Sequence, residues 1–163
     1  MSVIRELNSD ELFIIEDLAK VIWPVSFKEM ISEQQIDYML NWMYKPQKLK
    51  ENHTNGHHFL IYTEGGEALG FVSYEIKEKK STIRIHKLYV HHESQKKGIG
   101  KKLLEHVKKI GLNEKMTHLD LFVNRTNTAV GFYKLKGFYI DQEIDLDIGN
   151  GYFMNDYLMK MKI

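Results

Sequence analysis

The sequence KLYVHHESQKKGIGKK, residues 87–102, joins an apolar strand ending at Val90 to a helical run that opens after Gly100. Between them, Gly98 and Gly100 carry no side chains, so a diphosphate can approach the backbone amides closely. The same amides lie at a helix start, where unpaired N–H groups and the positive dipole end favour an anion. Four lysines surround this point, namely Lys96, Lys97, Lys101 and Lys102. The stretch therefore predicts a phosphate-binding turn.

The spacing of the glycines excludes two common nucleotide-binding loops. A triphosphate loop, G-x-x-x-x-G-K-[ST], would need Gly in place of Gln95 and Ser or Thr in place of Lys102. A dinucleotide loop, G-x-G-x-x-G, would need Gly in place of Leu103. The pattern that remains is Q-x-x-G-x-G after a strand. Taken alone, it is equally compatible with a lysine-rich glycine turn that caps a surface helix.

The pattern Gln95–Gly100 resembles the pyrophosphate loop of the GNAT superfamily of N-acetyltransferases. A second stretch is similar to the other signature of that family, in which a strand and an Asn precede a short helix with A-x-x-F-Y and then G-F. The two signatures stand in the family's order, and the resemblance extends from about residue 3 to the C-terminus. The second signature is carried by Asn124, Asn127, Ala129–Tyr133 and Gly137–Phe138.

The resemblance implies a cofactor, a reaction and roles for named residues. Acetyl-coenzyme A would give its acetyl group to a primary amine, of a small molecule such as a polyamine or of a protein, by direct attack. Backbone amides of Leu88, Tyr89 and Val90 would hold the thioester oxygen, Tyr133 would protonate the departing thiolate, and His86 would remove the amine proton. Further cofactor contacts would come from Gln95, Lys96, Lys97, Gly98, Ile99, Gly100, Lys101, Asn124, Asn127 and Tyr133 itself.

These residues also have plain structural interpretations. Tyr133 could be a helix aromatic packed on the sheet, and His86 could be a histidine satisfied within it. A degenerate member of the family could bind acyl-coenzyme A as a sensor or interaction module without turnover. The family selects its acceptor with the segment that is here Trp23–Tyr44 and with the loop between the last two strands. Aromatic rings beside carboxylates in that segment could hold a cation, or they could belong to the core next to a solvated acidic helix face.

The composition indicates one domain, residues 1–163, without a charge that would select particular partners. Lys plus Arg total 23 against 22 for Asp plus Glu, so neither nucleic acid nor an anionic membrane is expected as a partner. The chain has no cysteine, which excludes disulfides and an acyl-cysteine intermediate. Four of the eight histidines fall in two adjacent pairs, His57–His58 and His91–His92, without a completing ligand set, so no metal site is expected. A cytoplasmic protein is expected, because no membrane span or signal segment is visible, and a homodimer is left open.

Hydrophobic periodicity predicts an α/β fold, a mixed sheet of about seven strands flanked by helices. The first predicted helix is capped by Ser9 and stopped by Pro24. A second is capped by Ser32, and a third begins at Pro46. A further helix at 101–110, ended by Gly111, joins strands 81–90 and 117–124, which should be parallel in a right-handed crossover. The ends of the sheet should be antiparallel, and Leu88 and Val90 should be core residues. The other strands are predicted at 3–7, 59–63, 68–76, 139–146 and 152–161.

Overall fold

The computed structural model describes residues 1–163, which form seven strands and five α-helices. No helix combines the length and the apolar character needed to cross a membrane. The helices are α1 (Phe13–Ser26), α2 (Glu33–Met43), α3 (Pro46–Thr54), α4 (Ile99–Asn113) and α5 (Ala129–Leu135). The strands are β1 (Ser2–Glu6), β2 (His57–Glu64), β3 (Glu67–Lys77), β4 (Thr82–Val90), β5 (His118–Asn124), β6 (Tyr139–Gly149) and β7 (Tyr152–Lys162).

All seven strands belong to one mixed sheet in the order β1-β2-β3-β4-β5-β7-β6. Strands β4 and β5 are parallel, and α4 lies between them in the chain. The strand pairs towards both ends, β1 with β2, β2 with β3, β5 with β7 and β6 with β7, are antiparallel. The predicted mixed sheet with a parallel crossover is therefore confirmed. Each predicted strand is present, and the largest difference is that β6 continues to Gly149 instead of ending at Leu146.

The chain divides into two compact units, each built from two segments. The first contains Met1–Glu75 and Lys87–Val107, and the second contains Ile76–His86 and Lys108–Ile163. The prediction of a single domain over all 163 residues stays a prediction. In the first unit, α1 buries one apolar face, namely Ile15, Leu18, Ala19, Ile22 and Trp23. In the second, the strands bury Leu119, Leu121, Met159 and Met161.

The predicted ends of α1 were both wrong. Helix α1 begins at Phe13 without a side-chain cap. A capping box lies before it at Asn8, whose side chain accepts the N–H of Asp10 at 2.9 Å while Glu11 accepts the N–H of Asn8 at 3.1 Å. This capping box starts a short 3-10 helix, Ser9–Glu11, that precedes α1. Pro24 lies inside α1, which continues to Ser26. So near the C-terminal end a proline removes one helical hydrogen bond without breaking the helix.

Gly111 was predicted to end α4, yet the helix continues through it to Asn113. The glycine is needed there for packing. A Cβ atom at position 111 would lie 2.9 Å from Cδ1 of Ile163 and 3.2 Å from Cδ1 of Ile83. Real Cβ atoms do not approach so closely, so the absence of a side chain lets this turn of α4 press against the second unit's own strands.

Candidate active site

The predicted phosphate-binding turn lies between the end of β4 and the start of α4. Lys96 and Gly98 have φ angles of 66° and 80°, both in the left-handed region. A Cβ atom at Gly98 would meet nothing within 4 Å, so the space over this turn is open. Helix α4 begins at the next residue, Ile99, which is buried and anchors the turn. The first N–H groups of α4 therefore lie next to a turn at which Gly98 leaves the backbone uncovered by a side chain.

Local hydrogen bonds hold the loop that precedes this turn. Gln95 donates from Nε2 to the Val90 carbonyl at 3.3 Å, which ties the loop to the end of β4. The N–H of His91 bonds to the Leu69 carbonyl at 2.7 Å. The side chains of Lys96, Lys97 and Lys101 are exposed to solvent, and Lys101 pairs with Glu105 at 4.0 Å. The residues from Val90 to Lys101 that were predicted to contact the cofactor therefore lie in one continuous segment of the first unit.

Strand β4 extends beyond its parallel ladder. The register with β5 joins four residue pairs, from Thr82 with His118 to Ile85 with Leu121, while β4 continues to Val90. Leu88, Tyr89 and Val90 therefore lie outside this ladder, and their role at the thioester oxygen stays a prediction. The prediction that Leu88 and Val90 are core residues was wrong, since both are only half-buried. His86 is also half-buried on this strand.

Lys87 is a buried charge that the sequence interpretation missed. Its side chain is 5% exposed, and its Nζ lies 5.3 Å from the centroid of the Tyr44 ring. Burial, and then the charge of Lys48, lowers the pKa of Lys87 to about 8. Alternation along β4 predicts which face of the sheet Lys87 occupies. The sequence does not show that helices cover that face, and the structure does. The buried Tyr44 in turn accepts a hydrogen bond from Trp23 Nε1 at 3.2 Å.

Replacing Lys87 with Met should raise the free energy of unfolding at pH 7. The pKa of the lysine falls from 10.5 to about 8, so the buried charge is disfavoured by on the order of 3 kcal/mol relative to the neutral amine. The folded chain loses this proton at lower pH than the unfolded chain does. Wild-type stability should therefore rise between about pH 8 and 10 through this group, and the variant should lack that rise.

Urea titrations at pH 7 and pH 9.5 measure both effects. The matched control is Lys50→Met, which removes an exposed cation from α3 that has no part in lowering the pKa of Lys87 and should leave the pH 7 midpoint nearly unchanged. A Lys87→Met protein less stable than wild type at both pH values would show that the ammonium group makes a net stabilising contact, with the Tyr44 ring as the candidate partner.

The aromatic residues of the Trp23–Tyr44 segment are divided between core and surface. Trp23, Phe27 and Tyr44 are all buried, and Trp23 packs against the other two rings at centroid distances of 4.4 and 5.7 Å. These three are core residues, so of the two interpretations of the aromatic rings, cation binding or a place in the core, the second holds for them. The Tyr38–Trp42 pair differs, because its rings lie 6.5 Å apart and Trp42 is 42% exposed.

Tyr133 lies in the second unit, on α5, where it is 6% exposed. Its ring packs edge-on against Phe132 and Phe138, at centroid distances of 5.3 and 5.5 Å. Burial raises the pKa of the Tyr133 phenol well above its usual range, so the hydroxyl stays protonated at neutral pH and can donate a hydrogen. That hydroxyl makes no hydrogen bond within the protein, which leaves its donor available to a ligand.

Two asparagines shape the turn that leads from β5 to α5. Asn124 Oδ1 accepts from the N–H of Thr126 at 2.9 Å and from its hydroxyl at 2.7 Å. Asn127 Oδ1 accepts the N–H of Ala129 at 2.8 Å, at the start of α5. Both amide oxygens are thus engaged in local structure. Any contact of Asn124 or Asn127 with a cofactor would have to use the –NH2 donors.

Comparison with known proteins places this geometry in a family. A family model described as "Acetyltransferase (GNAT) domain" matches residues 27–146. An uncharacterised N-acetyltransferase of Archaeoglobus fulgidus is 36% identical over 84 residues, 48% of this chain and about half, 54%, of that relative. A spermidine N(1)-acetyltransferase of Thermoplasma acidophilum is 26% identical over 144 residues, which cover 85% of this chain and 88% of the other.

Solved structures agree on the fold. The crystal structure of the PaiA N-acetyltransferase from Thermoplasma acidophilum, in complex with coenzyme A, matches with a TM-score of 0.85 at 24% identity, over 100% of this chain and 99% of that one. The family match covers most of the chain and confirms the predicted enzyme class, an acetyl-coenzyme A-dependent N-acetyltransferase. This chain belongs to the GNAT family of acetyltransferases.

Proposed function

We propose that the protein transfers an acetyl group from acetyl-coenzyme A to a primary amine of a small cationic acceptor. The observation that carries the proposal is the open turn at Gly98, which sits at the start of α4 and is rimmed by exposed lysines. It offers backbone donors and positive charge to a pyrophosphate without a side chain in the way. The spermidine-acetylating relative supports a small amine as the acceptor.

Each chemical step is assigned to a group on the chain. The neutral amine nitrogen attacks the thioester carbon, and amides of Leu88–Val90 stabilise the oxyanion that forms. The carbon–sulfur bond then breaks, and Tyr133 gives its proton to the departing thiolate. His86 takes the proton that the amine loses, because a neutral imidazole nitrogen can accept a proton. Gln95–Lys101, with the amide groups of Asn124 and Asn127, hold the cofactor.

Direct transfer requires both substrates to be bound together, because the chain has no cysteine to carry an acetyl group. We expect initial rates, measured by release of free thiol over a grid of acetyl-coenzyme A and spermidine concentrations, to give intersecting double-reciprocal lines. Parallel lines would contradict direct transfer, since they indicate an acetylated enzyme intermediate. The activity on an amine of pKa about 10 should also climb from about pH 6 to 9, as the neutral fraction grows.

The alternative is a sensor that binds acyl-coenzyme A without turnover. Calorimetric titration separates the two functions. Tight acetyl-coenzyme A binding together with no thiol release across a panel of mono-, di- and polyamines would favour the sensor. The free hydroxyl of the buried Tyr133 favours the enzyme, because a binding module has no need of a proton donor at that position.

A further inference from the structure

A buried carboxylate lies in the middle of β7. Asp156 is 6% exposed, and it is paired across the sheet with Asn124 of β5 on one side and with Ile144 of β6 on the other. Alternation along β7 places it on the same face as Met154 and Leu158, so a charged side chain interrupts an apolar row. Aspartate is seldom buried in this way unless a partner neutralises it.

No partner within the protein neutralises Asp156. The nearest guanidinium, that of Arg125, donates to the backbone carbonyls of Asp156 and Ile144 at 3.3 and 3.2 Å, while it pairs with the carboxylates of Asp145 and Glu143. The other cation on this strand, Lys160, pairs with Asp141 at 3.5 Å. The Asp156 side chain itself takes part in no hydrogen bond or ion pair.

The environment therefore disfavours the charge that Asp156 carries. Burial raises the pKa of this carboxyl to about 6, and the opposing influence of Arg125 is the smaller of the two. Above pH 7 the group is still ionised, so it remains a largely buried charge that Arg125 offsets only in part. Such a group destabilises the fold unless something outside the chain satisfies it, and the ligand that does so must bring positive charge and N–H donors.

We propose that the Asp156 carboxylate binds an ammonium group of the acceptor, and that this group is not the one that is acetylated. The nitrogen that attacks the thioester must be neutral, whereas an ion pair with a carboxylate keeps an amine protonated. One acceptor nitrogen thus stays charged at Asp156 while another reacts. The acceptor is accordingly a diamine or polyamine, and Asp156 selects it over a monoamine. This assignment rests on the proposed transfer of acetyl to an amine.

The test is Asp156→Asn, which keeps the shape and removes the charge. The KM for spermidine should rise by roughly 30-fold or more, the usual effect of removing one partner of a buried charge pair. The KM for butylamine, which has no second nitrogen, should stay within about twofold, and calorimetry should show unchanged affinity for acetyl-coenzyme A. The matched control is Glu143→Gln, which loses the same charge from the exposed side of the same hairpin and should leave both KM values unchanged.

A stability measurement excludes a purely structural role. Removing an unpaired buried charge should move the urea midpoint of Asp156→Asn upward at pH 7.5, whereas a carboxylate that supports the fold would give a lower midpoint. A lower midpoint with an unchanged spermidine KM would overturn the proposal. So would equal loss of activity on spermidine and butylamine.

Two further outcomes separate this proposal from the proposed function. If the wild-type protein acetylates no amine, spermidine binding is measured directly by calorimetry in the presence of coenzyme A. Retained binding that Asp156→Asn abolishes would support the assignment although the enzyme function had failed. If the variant does not fold, the wild-type protein alone decides: it should bind spermidine more tightly than butylamine, increasingly so as salt is lowered, and equal affinities would overturn the proposal.

Discussion

Replacing Tyr133 with Phe is expected to lower the rate of acetyl transfer by on the order of 10² to 10⁴ while leaving the affinity for acetyl-coenzyme A unchanged. The substitution removes one hydroxyl and no ring volume. Because that hydroxyl has no partner in the protein and the ring is held by Phe132 and Phe138, the packing should survive intact. The lost function is the proton that the departing thiolate needs, since a buried phenol with a raised pKa is protonated at every pH used.

Single-turnover measurement is the appropriate readout, because slow product release in the steady state would hide a change in the chemical step. Tyr139→Phe is the control, since it removes the same hydroxyl from a residue that is 50% exposed on β6. A Tyr133→Phe protein with a wild-type single-turnover rate would remove this residue from the mechanism. A large loss of cofactor affinity instead would make it a binding residue.

Replacing Gly98 with Val is expected to weaken acetyl-coenzyme A binding by roughly 100-fold or more while the protein stays folded. The new side chain would meet no protein atom within 4 Å, so the fold has room for it. The same room is where the pyrophosphate would lie against the first amides of α4. Calorimetric titration with acetyl-coenzyme A measures the loss.

The φ angle of 80° at Gly98 means that a valine there also strains the backbone, and this effect has a matched control. Gly66, in the β2–β3 turn, has a φ angle of 83° and equally open surroundings. Gly66→Val should reproduce the strain, on the order of 1–2 kcal/mol, with cofactor affinity unchanged. Equal affinity in both variants and wild type would place the pyrophosphate elsewhere. Lys96→Glu should weaken binding less than Gly98→Val and more strongly at low salt.

Much of the fold could be predicted from local patterns, because alternation and glycine turns are properties of short segments. The strands and the glycine turn before α4 followed from them. The errors at Pro24 and Gly111 share one cause, which is that a helix breaker acts through its surroundings. Pro24 stands too near the end of α1 to break it, and Gly111 serves the close approach of Ile163 and Ile83. Neither the end of α1 nor the packing around Gly111 can be predicted from the residues next to them in the sequence.

The candidate site was predictable to a different extent. The loop Gln95–Gly100 and Tyr133 carry recognisable motifs, and their roles remain predictions that the variants above test. The buried residues Lys87 and Asp156 belong to no motif. Each lies on a strand, and the segments that bury it are distant in the sequence. A charge within an otherwise apolar alternation, as at Asp156 between Met154 and Leu158, was the one signal available.

The two-segment construction of each unit has a consequence for synthesis of the chain. A nascent polypeptide that has emerged to Glu75 holds three helices and most of three strands, but the first unit also needs Lys87–Val107. Completion of that unit therefore waits for about thirty further residues to leave the ribosome, a delay of a few seconds at ordinary elongation rates. During this interval the outer edge of β3 has no following strand, and unpaired edges promote association between chains. Slow elongation across residues 76–107 would lengthen that exposure.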